Sequence, residues 1–280
     1  MQAPELMLLG GPNSGKTHYA GQLYGRLRRN PGLLRLRDTP LDLSLLEEVL
    51  RCLSEGRAAE HTAADTWGEV LFPLEDERGN ALDLRWPDYG GEQLRRVFNE
   101  RAAQEKWRTQ LREARGWLLL IRLKGETVYR DALQELIELA DGRNGSTERA
   151  SKWDANAYWV ELLQILLYVA GLGTVVRRAQ PRLAVLLSCY DELEGTDGLQ
   201  PRQVLAQQLP LVASFIDSAW FPNAVSVWGL SALGRHLEKD STDELFIDDG
   251  PQFQGWIIAP EGGQPDPDLS RPVAWLLGEP

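Results

Sequence analysis

The feature that most constrains the fold is an apolar run that passes through a glycine-rich loop directly into a helical segment. It occupies residues 6–24 and reads LMLLGGPNSGKTHYAGQLY. The apolar run predicts a buried strand over residues 5–10, and the pattern after the loop predicts a helix over residues 16–28. A strand that feeds straight into a helix returns to its sheet by a crossover, which makes its neighbour parallel. The segment therefore predicts the start of a strand–helix–strand unit.

Three further apolar runs have the length and composition of buried strands, and helical patterns lie between them. They are WLLLIRL at 117–123, RLAVLLS at 182–188 and AVSVWGLS at 224–231. Buried strands that alternate with helices predict a three-layer α/β fold, with a mostly parallel central sheet and helices on both faces. Residues 69–88, EVLFPLEDERGNALDLRWPD, have the pattern of a hairpin that turns at DERGN. We expect the hairpin to add one antiparallel edge strand to the sheet.

The glycine-rich loop, residues 10–17, fits the pattern G-x-x-x-x-G-K-[ST] at each fixed position. Glycines let backbone N–H groups converge on phosphate oxygens, and the N-terminus of the following helix adds positive potential. A lysine at this spacing reaches the β- and γ-phosphates, and the hydroxyl after it can ligate Mg²⁺. We expect a nucleoside triphosphate to be held by Gly10, Asn13, Ser14, Gly15, Lys16 and Thr17, with His18 beside it.

Two groups of polar residues follow other predicted strands, where ligands of such sheets bind. In DYGGE, Asp88 can hold Mg²⁺ through water, and the N–H of Gly91 can meet a γ-phosphate. Asp191 follows the strand at 182–188, and its carboxylate can accept both N1–H and N2–H of guanine. Ser231 and Ala232 follow the last predicted strand, where their backbone N–H groups can meet a base carbonyl. Together these positions favour a guanine nucleotide.

This ordered set resembles the motifs of the Ras-like P-loop GTPases, the translation-factor-related class, over residues 5 to about 235. The strings DYGGE and DPDLSRPVAWLL are also similar to bacterial double-GTPase proteins of predicted conflict or signalling systems. The resemblance implies a P-loop NTPase fold that binds GTP or GDP with Mg²⁺. It also implies that Lys16, Gly91 and Glu92 form the catalytic group.

Two residues in these motifs depart from the family pattern, and a third residue removes a hydrogen-bond donor from the loop. Cys189 stands where the family has a lysine, so the stacking of a lysine stem on the base is missing. Glu92 stands where the family has the glutamine that orients the attacking water, and its charge would repel the γ-phosphate. Pro12 removes one N–H donor from the rim of the loop. These departures predict weakened guanine preference and slow hydrolysis.

The threonine that would complete the Mg²⁺ site is ambiguous in the sequence. Thr62 and Thr66 both lie in the polar stretch before the predicted hairpin, and Thr62 is the preferred candidate. The metal set is therefore Thr17, Asp88 and Thr62. Arg57 lies just upstream, either as a solvated loop residue or as an arginine finger supplied in cis.

Composition limits the partners that the chain can have. A formal net charge of -11 disfavours general binding to nucleic acid or to an anionic membrane. The two cysteines make neither a disulfide framework nor a metal site, which indicates a cytoplasmic protein. No run approaches the 18 apolar residues of a membrane span, so we expect none.

We expect a Ras-like GTPase domain over residues 1–235, in which residues 124–180 form an extended crossover or insertion. Residues 236–280 are expected to be a C-terminal extension that packs on the same domain. The predicted function is a GTP-binding molecular switch that hydrolyses GTP slowly and signals to a protein effector or activator. The alternatives are an ATP-using P-loop ATPase or kinase and a non-hydrolysing nucleotide-binding scaffold.

Overall fold

A computed structural model of the chain describes residues 6–29, 32–60, 67–89, 91–128, 153–173, 175–196 and 198–278. These residues contain eight strands: β1 (Leu6–Gly10), β2 (Leu34–Leu36), β3 (Trp67–Asp76), β4 (Ala81–Tyr89), β5 (Gly116–Ile121), β6 (Arg182–Ser188), β7 (Val225–Ser231) and β8 (Trp256–Ile258). The larger of two sheets has the order β1-β5-β6-β7-β8. Neighbouring strands are parallel from β1 to β7, and β8 runs antiparallel to β7.

The strands of the larger sheet are apolar along their length because helices cover both of its faces. Every residue of β1, β5 and β6 is buried. The expected α/β fold, with a mostly parallel sheet and one antiparallel edge strand, is confirmed.

The antiparallel edge strand is β8, from the C-terminal segment, and not the hairpin that the sequence suggested. The hairpin does form, as β3 and β4, but it joins β2 in a separate three-stranded antiparallel sheet. Its turn is closed by Asp76, whose carboxylate accepts the N–H of Asn80 at 2.8 Å. The alternation of residues predicts the hairpin but not the sheet that it joins. The outer edges of the hairpin offer the same backbone N–H and C=O groups to a strand of either sheet.

The described residues contain nine α-helices. They are α1 (Lys16–Arg29), α2 (Ser44–Ser54), α3 (Gly91–Glu100), α4 (Glu105–Glu113), α5 (Ala155–Val169), α6 (Pro201–Gln208), α7 (Pro210–Ala219), α8 (Glu244–Asp248) and α9 (Arg271–Leu277). The helix expected over residues 201–218 is divided at Leu209, which leaves helical geometry at φ -133° and ψ 68°. Proline at 210 has no N–H with which to continue the hydrogen-bond ladder.

Two apolar cores lie on opposite faces of the larger sheet. On one face α3 to α7 pack around Trp117 and Trp220, whose ring centroids are 6.2 Å apart. On the other face α1 and α2 pack with the smaller sheet, and Tyr19 lies 5.6 Å from Trp86. Both cores stabilise the strand ends at which polar loops emerge.

The segment after β7 packs against α1. The buried Tyr19 hydroxyl donates to the carbonyl of Leu269 at 2.9 Å. The guanidinium of Arg26, also buried, donates to the carbonyl of Phe253 at 2.7 Å. Within the described part of the chain, no helix has both the length and the apolar composition that a bilayer crossing requires.

Candidate functional site

A cavity of about 550 Å³ opens at the carboxyl ends of β1, β6 and β7. Its walls are residues 12–18, 58–60, 91–92, 122, 188–189, 191–192, 230, 232–233 and 235–240. Parallel strands bring their carboxyl ends to one edge, which is where such sheets bind ligands. The cavity thus brings the glycine-rich loop together with Gly91, Glu92, Asp191 and Ala232.

The glycine-rich loop is wrapped around the ammonium group of Lys16. Nζ of this buried side chain donates to the carbonyls of Gly10 at 2.8 Å and Gly11 at 3.0 Å. Asn13 and Gly15 have φ of 61° and 81°, the left-handed conformation that asparagine tolerates and glycine favours. These two residues reverse the chain within a single turn. The contacts of Nζ thus place the ammonium group of Lys16 within the curve of the loop.

The first turn of α1 forms the floor of the cavity. Lys16 is the first residue of this helix, and Thr17 and His18 follow it on the cavity wall. The positive end of the helix dipole faces the cavity and favours an anion there. Gly10 lies behind the loop as the last residue of β1, and it contributes its carbonyl to Lys16 rather than a surface to the cavity.

Gly91 begins α3 in direct contact with the glycine-rich loop. A Cβ added to Gly91 would touch the backbone N of Pro12 and would lie 2.5 Å from the carbonyl carbon of Gly11. Glu92 follows on the cavity wall. The backbone of Asp88 lies in β4, three residues before Gly91, and its side chain is outside the described residues.

The turn after β6 forms the opposite end of the cavity. Ser188 ends the strand, and its buried hydroxyl has no hydrogen-bond partner among the described residues. Cys189 then adopts the left-handed conformation, with φ 51° and ψ 45°, and leads into a single 3-10 turn, Tyr190–Glu192. This turn places the exposed Asp191 on the cavity wall.

Burial raises the pKa of the Cys189 thiol to about 11, although the nearby Arg122 guanidinium acts in the opposite direction. The thiol therefore remains neutral at physiological pH. Ser231 is the last residue of β7 and is buried, and its hydroxyl accepts the N–H of Gly234 at 3.0 Å. Of the pair expected near the base, only Ala232 lines the cavity.

Two parts of the wall were not expected from the sequence. Arg122 follows β5, and its guanidinium forms a two-point ion pair with Glu192, with Nε to Oε2 at 3.1 Å and Nη2 to Oε1 at 2.5 Å. Residues 235–240 follow β7 and form the other unexpected part. Both contain charged side chains just after a buried strand, which is the signal that could have identified them.

The loop after α2 is bound to the cavity by hydrogen bonds. The N–H of Ala59 donates to Nε2 of His18 at 3.0 Å, and the N–H of Ala58 donates to the carbonyl of Glu238 at 2.9 Å. Arg57 donates to the carbonyl of Lys239 at 3.0 Å and pairs with Glu55. In this arrangement Arg57 does not line the cavity. Thr62 and Thr66 lie outside the described residues.

A search of curated proteins gives no significant match to the chain. Two solved structures are similar at low identity. Roco2 RocCORdC of Methanosarcina barkeri bound to GDP has 12% identity and a TM-score of 0.34, and the match covers 83% of this chain and 44% of that one. The signal recognition particle receptor SRb-GTP/SRX complex of Chaetomium thermophilum has 13% identity and a TM-score of 0.40, with 89% and 98% covered. This chain thus spans less than half of the Roco2 chain.

The family comparison is more extensive. The model of the family DO-GTPase1, described as Double-GTPase 1, matches residues 7–276. The match begins in β1, includes the glycine-rich loop and every described wall of the cavity, and ends in α9. Since it extends over nearly the whole chain, this protein belongs to the double-GTPase 1 family.

Proposed function

We propose that this GTP-binding protein is a molecular switch that hydrolyses GTP slowly and reports its nucleotide state to a protein partner. The observation that carries the proposal is the cavity itself, which has a phosphate-type loop at one end and Asp191 at the other. Its volume of about 550 Å³ is in the range of cavities that bind small molecules and cofactors. Membership of a double-GTPase family supports GTP as the ligand.

At the phosphate end, Lys16 and the N-terminus of α1 would stabilise the charge that develops on the leaving phosphates. The ammonium group of Lys16 is bound to two carbonyls of the loop, those of Gly10 and Gly11. The Thr17 hydroxyl on the cavity wall is an oxygen donor that suits Mg²⁺. Bound there with Asp88 and Thr62, the ion would neutralise charge on the β- and γ-phosphates.

Slow turnover follows from the groups around the γ-phosphate position. Glu92 brings a carboxylate to the wall beside the loop, where it accepts a hydrogen bond from water and repels a phosphate oxygen. Pro12 contributes no N–H at the same rim. With these two residues the site is better suited to retaining GTP than to cleaving it rapidly.

The switch role is supported by two segments that contact the cavity from different sides. The loop at residues 57–60 is bound to His18 on α1 and to Glu238 on the far wall. The start of α3 rests directly on the glycine-rich loop at Gly91. A γ-phosphate between these segments would move them, and such ordering of two segments by one phosphate is a known basis of switching.

Nucleotide titration of the purified protein tests the proposal. We expect Mg·GTP and Mg·GDP to bind more tightly than Mg·ATP, and tighter binding of ATP would indicate the ATP-using alternative. Phosphate release in a single turnover then separates a slow GTPase from a scaffold, which would release none.

Replacement of Asp191 tests the base end of the cavity. Asp191→Asn is expected to shift the preference from GDP toward XDP, because the amide offers a donor where guanine N1–H requires an acceptor. Asp248→Asn, at an exposed aspartate of α8 outside the cavity wall, is the matched control. An unchanged GDP-to-XDP ratio in Asp191→Asn would remove Asp191 from the base site.

A further inference from the structure

Arg122 is a charged residue of the cavity wall to which the proposed function assigns no role. It follows directly after β5, and its side chain is one third exposed, at 33%. It pairs with Glu192, and Cys189 and Asp191 of the same turn line the cavity as well. Arg122 therefore lies at the same end of the cavity as the residues that would contact the base.

Glu192 fixes the plane of the guanidinium. Both of its carboxylate oxygens accept from Arg122, from Nε at 3.1 Å and from Nη2 at 2.5 Å. The Glu192 side chain is only 13% exposed, so it anchors the pair while the arginine faces the cavity. A two-point contact of this kind holds a guanidinium in one orientation, which a single hydrogen bond does not.

A planar cation at this end of the cavity suits a purine base. A purine offers two flat aromatic faces as well as its polar edge, and Asp191 can satisfy only the edge. A planar guanidinium stacks on an aromatic face and is also attracted to it as a cation. The other lysine and arginine side chains on the wall are Lys16 in the glycine-rich loop and Arg235 and Lys239 in the loop at residues 235–240.

We propose that Arg122, oriented by Glu192, binds the nucleobase by stacking its guanidinium on one face of the purine. This inference rests on the proposed function, since it requires a nucleotide in the cavity with its base toward Asp191. The two residues then have different roles at this end of the cavity. Asp191 selects the base by binding its polar edge, and Arg122 contributes affinity for any purine.

Equilibrium binding of mant-GDP and mant-GTP to Arg122→Met tests the proposal. Methionine retains the length and apolar character of the stem but removes the planar cation. We expect the Kd values for both nucleotides to rise by the same factor, about 10-fold. The matched control is Arg35→Met, because Arg35 is also paired with a glutamate, Glu75 at 2.6 Å, but lies on the smaller sheet outside the cavity.

A second substitution separates stacking from a purely structural role. Cys189 is on the cavity wall and already has left-handed backbone geometry, so Cys189→Lys places a cation there without new backbone strain. In the Arg122→Met background it is expected to recover part of the lost affinity for both nucleotides. Glu192→Gln, which weakens the hold on the guanidinium, is expected to give a smaller loss than Arg122→Met.

The possible outcomes distinguish the stacking role of Arg122 from the proposed function on which it rests. Wild-type affinity in Arg122→Met would overturn the stacking role alone. A loss of affinity confined to GTP would also overturn it by placing Arg122 at the phosphates. If the wild-type protein binds neither guanine nucleotide, the proposed function and the inference fail together.

Discussion

Replacement of Gly91 by alanine tests the contact between α3 and the glycine-rich loop. The added Cβ would lie 2.5 Å from the carbonyl carbon of Gly11 and 2.7 Å from its oxygen, and would also touch the backbone N of Pro12. Carbon atoms in ordinary contact are about 3.5–4.0 Å apart. The two backbones must therefore separate by about 1 Å, and no flexible side chain is available to absorb the change.

The magnitude follows from this geometry. Overpacking of rigid neighbours costs about 1–3 kcal/mol of the unfolding free energy. For a domain of this size, each kcal/mol lowers Tm by about 2–4 °C, so the nucleotide-free variant should melt about 2–12 °C lower. If Gly91 also meets the γ-phosphate, GTP affinity should fall about 10-fold, equivalent to about 1.4 kcal/mol, while GDP affinity changes less.

Differential scanning calorimetry and GTP and GDP titrations measure these effects. Gly25→Ala is the matched control, since it adds the same methyl group to a glycine of α1, where the nearest neighbour of the added Cβ would be Cβ of Gln252 at 3.7 Å. This control should gain about 0.5–1 kcal/mol, because alanine loses less conformational freedom than glycine in a helix. If Gly91→Ala raises the Tm, as Gly25→Ala is expected to do, the reasoning is refuted.

Two further predictions concern buried groups. Tyr19→Phe should lower the unfolding free energy by about 1–2 kcal/mol, because the buried carbonyl of Leu269 loses the hydroxyl that donates to it at 2.9 Å. A denaturant titration measures this change, and an unchanged midpoint would contradict the prediction. The thiol of Cys189 has a pKa raised from 9 to about 11 in the folded protein, so the unfolded chain ionises first and the stabilising effect is lost as pH rises from 9 to 11. Unfolding free energies measured across that interval should therefore decline less steeply in Cys189→Ala than in the wild type, and parallel curves would count against a buried thiol.

Local spacing was sufficient to predict the parts of the site that single segments build. The strand, loop and helix at residues 6–29 are one continuous stretch, so the position of Lys16 follows from the motif. The same is true of Asp191, because a buried strand ends three residues before it. For both residues, the distance along the chain from the end of a buried strand determines the position in the folded protein.

Other parts of the site depend on contacts between distant segments. Arg122 and Glu192 are 70 positions apart, and nothing in either local sequence indicates that they pair. The same applies to Ala58, which donates to the carbonyl of Glu238 from another part of the chain. The pairing of β8 with β7 also required the tertiary structure, because a short apolar run such as WII can lie on the edge of either sheet.

The far wall of the cavity has a consequence for how the protein is made. Residues 235–240 form this wall and are bound to the loop after α2, since the N–H of Ala58 donates to the carbonyl of Glu238 and Arg57 donates to the carbonyl of Lys239. Arg57 and Lys239 are 182 positions apart, whereas the glycine-rich loop lies near the start of the sequence. Because a ribosome makes the chain from its N-terminus, we expect the cavity to close only after residue 240 has been made, which makes its closure a late step of folding.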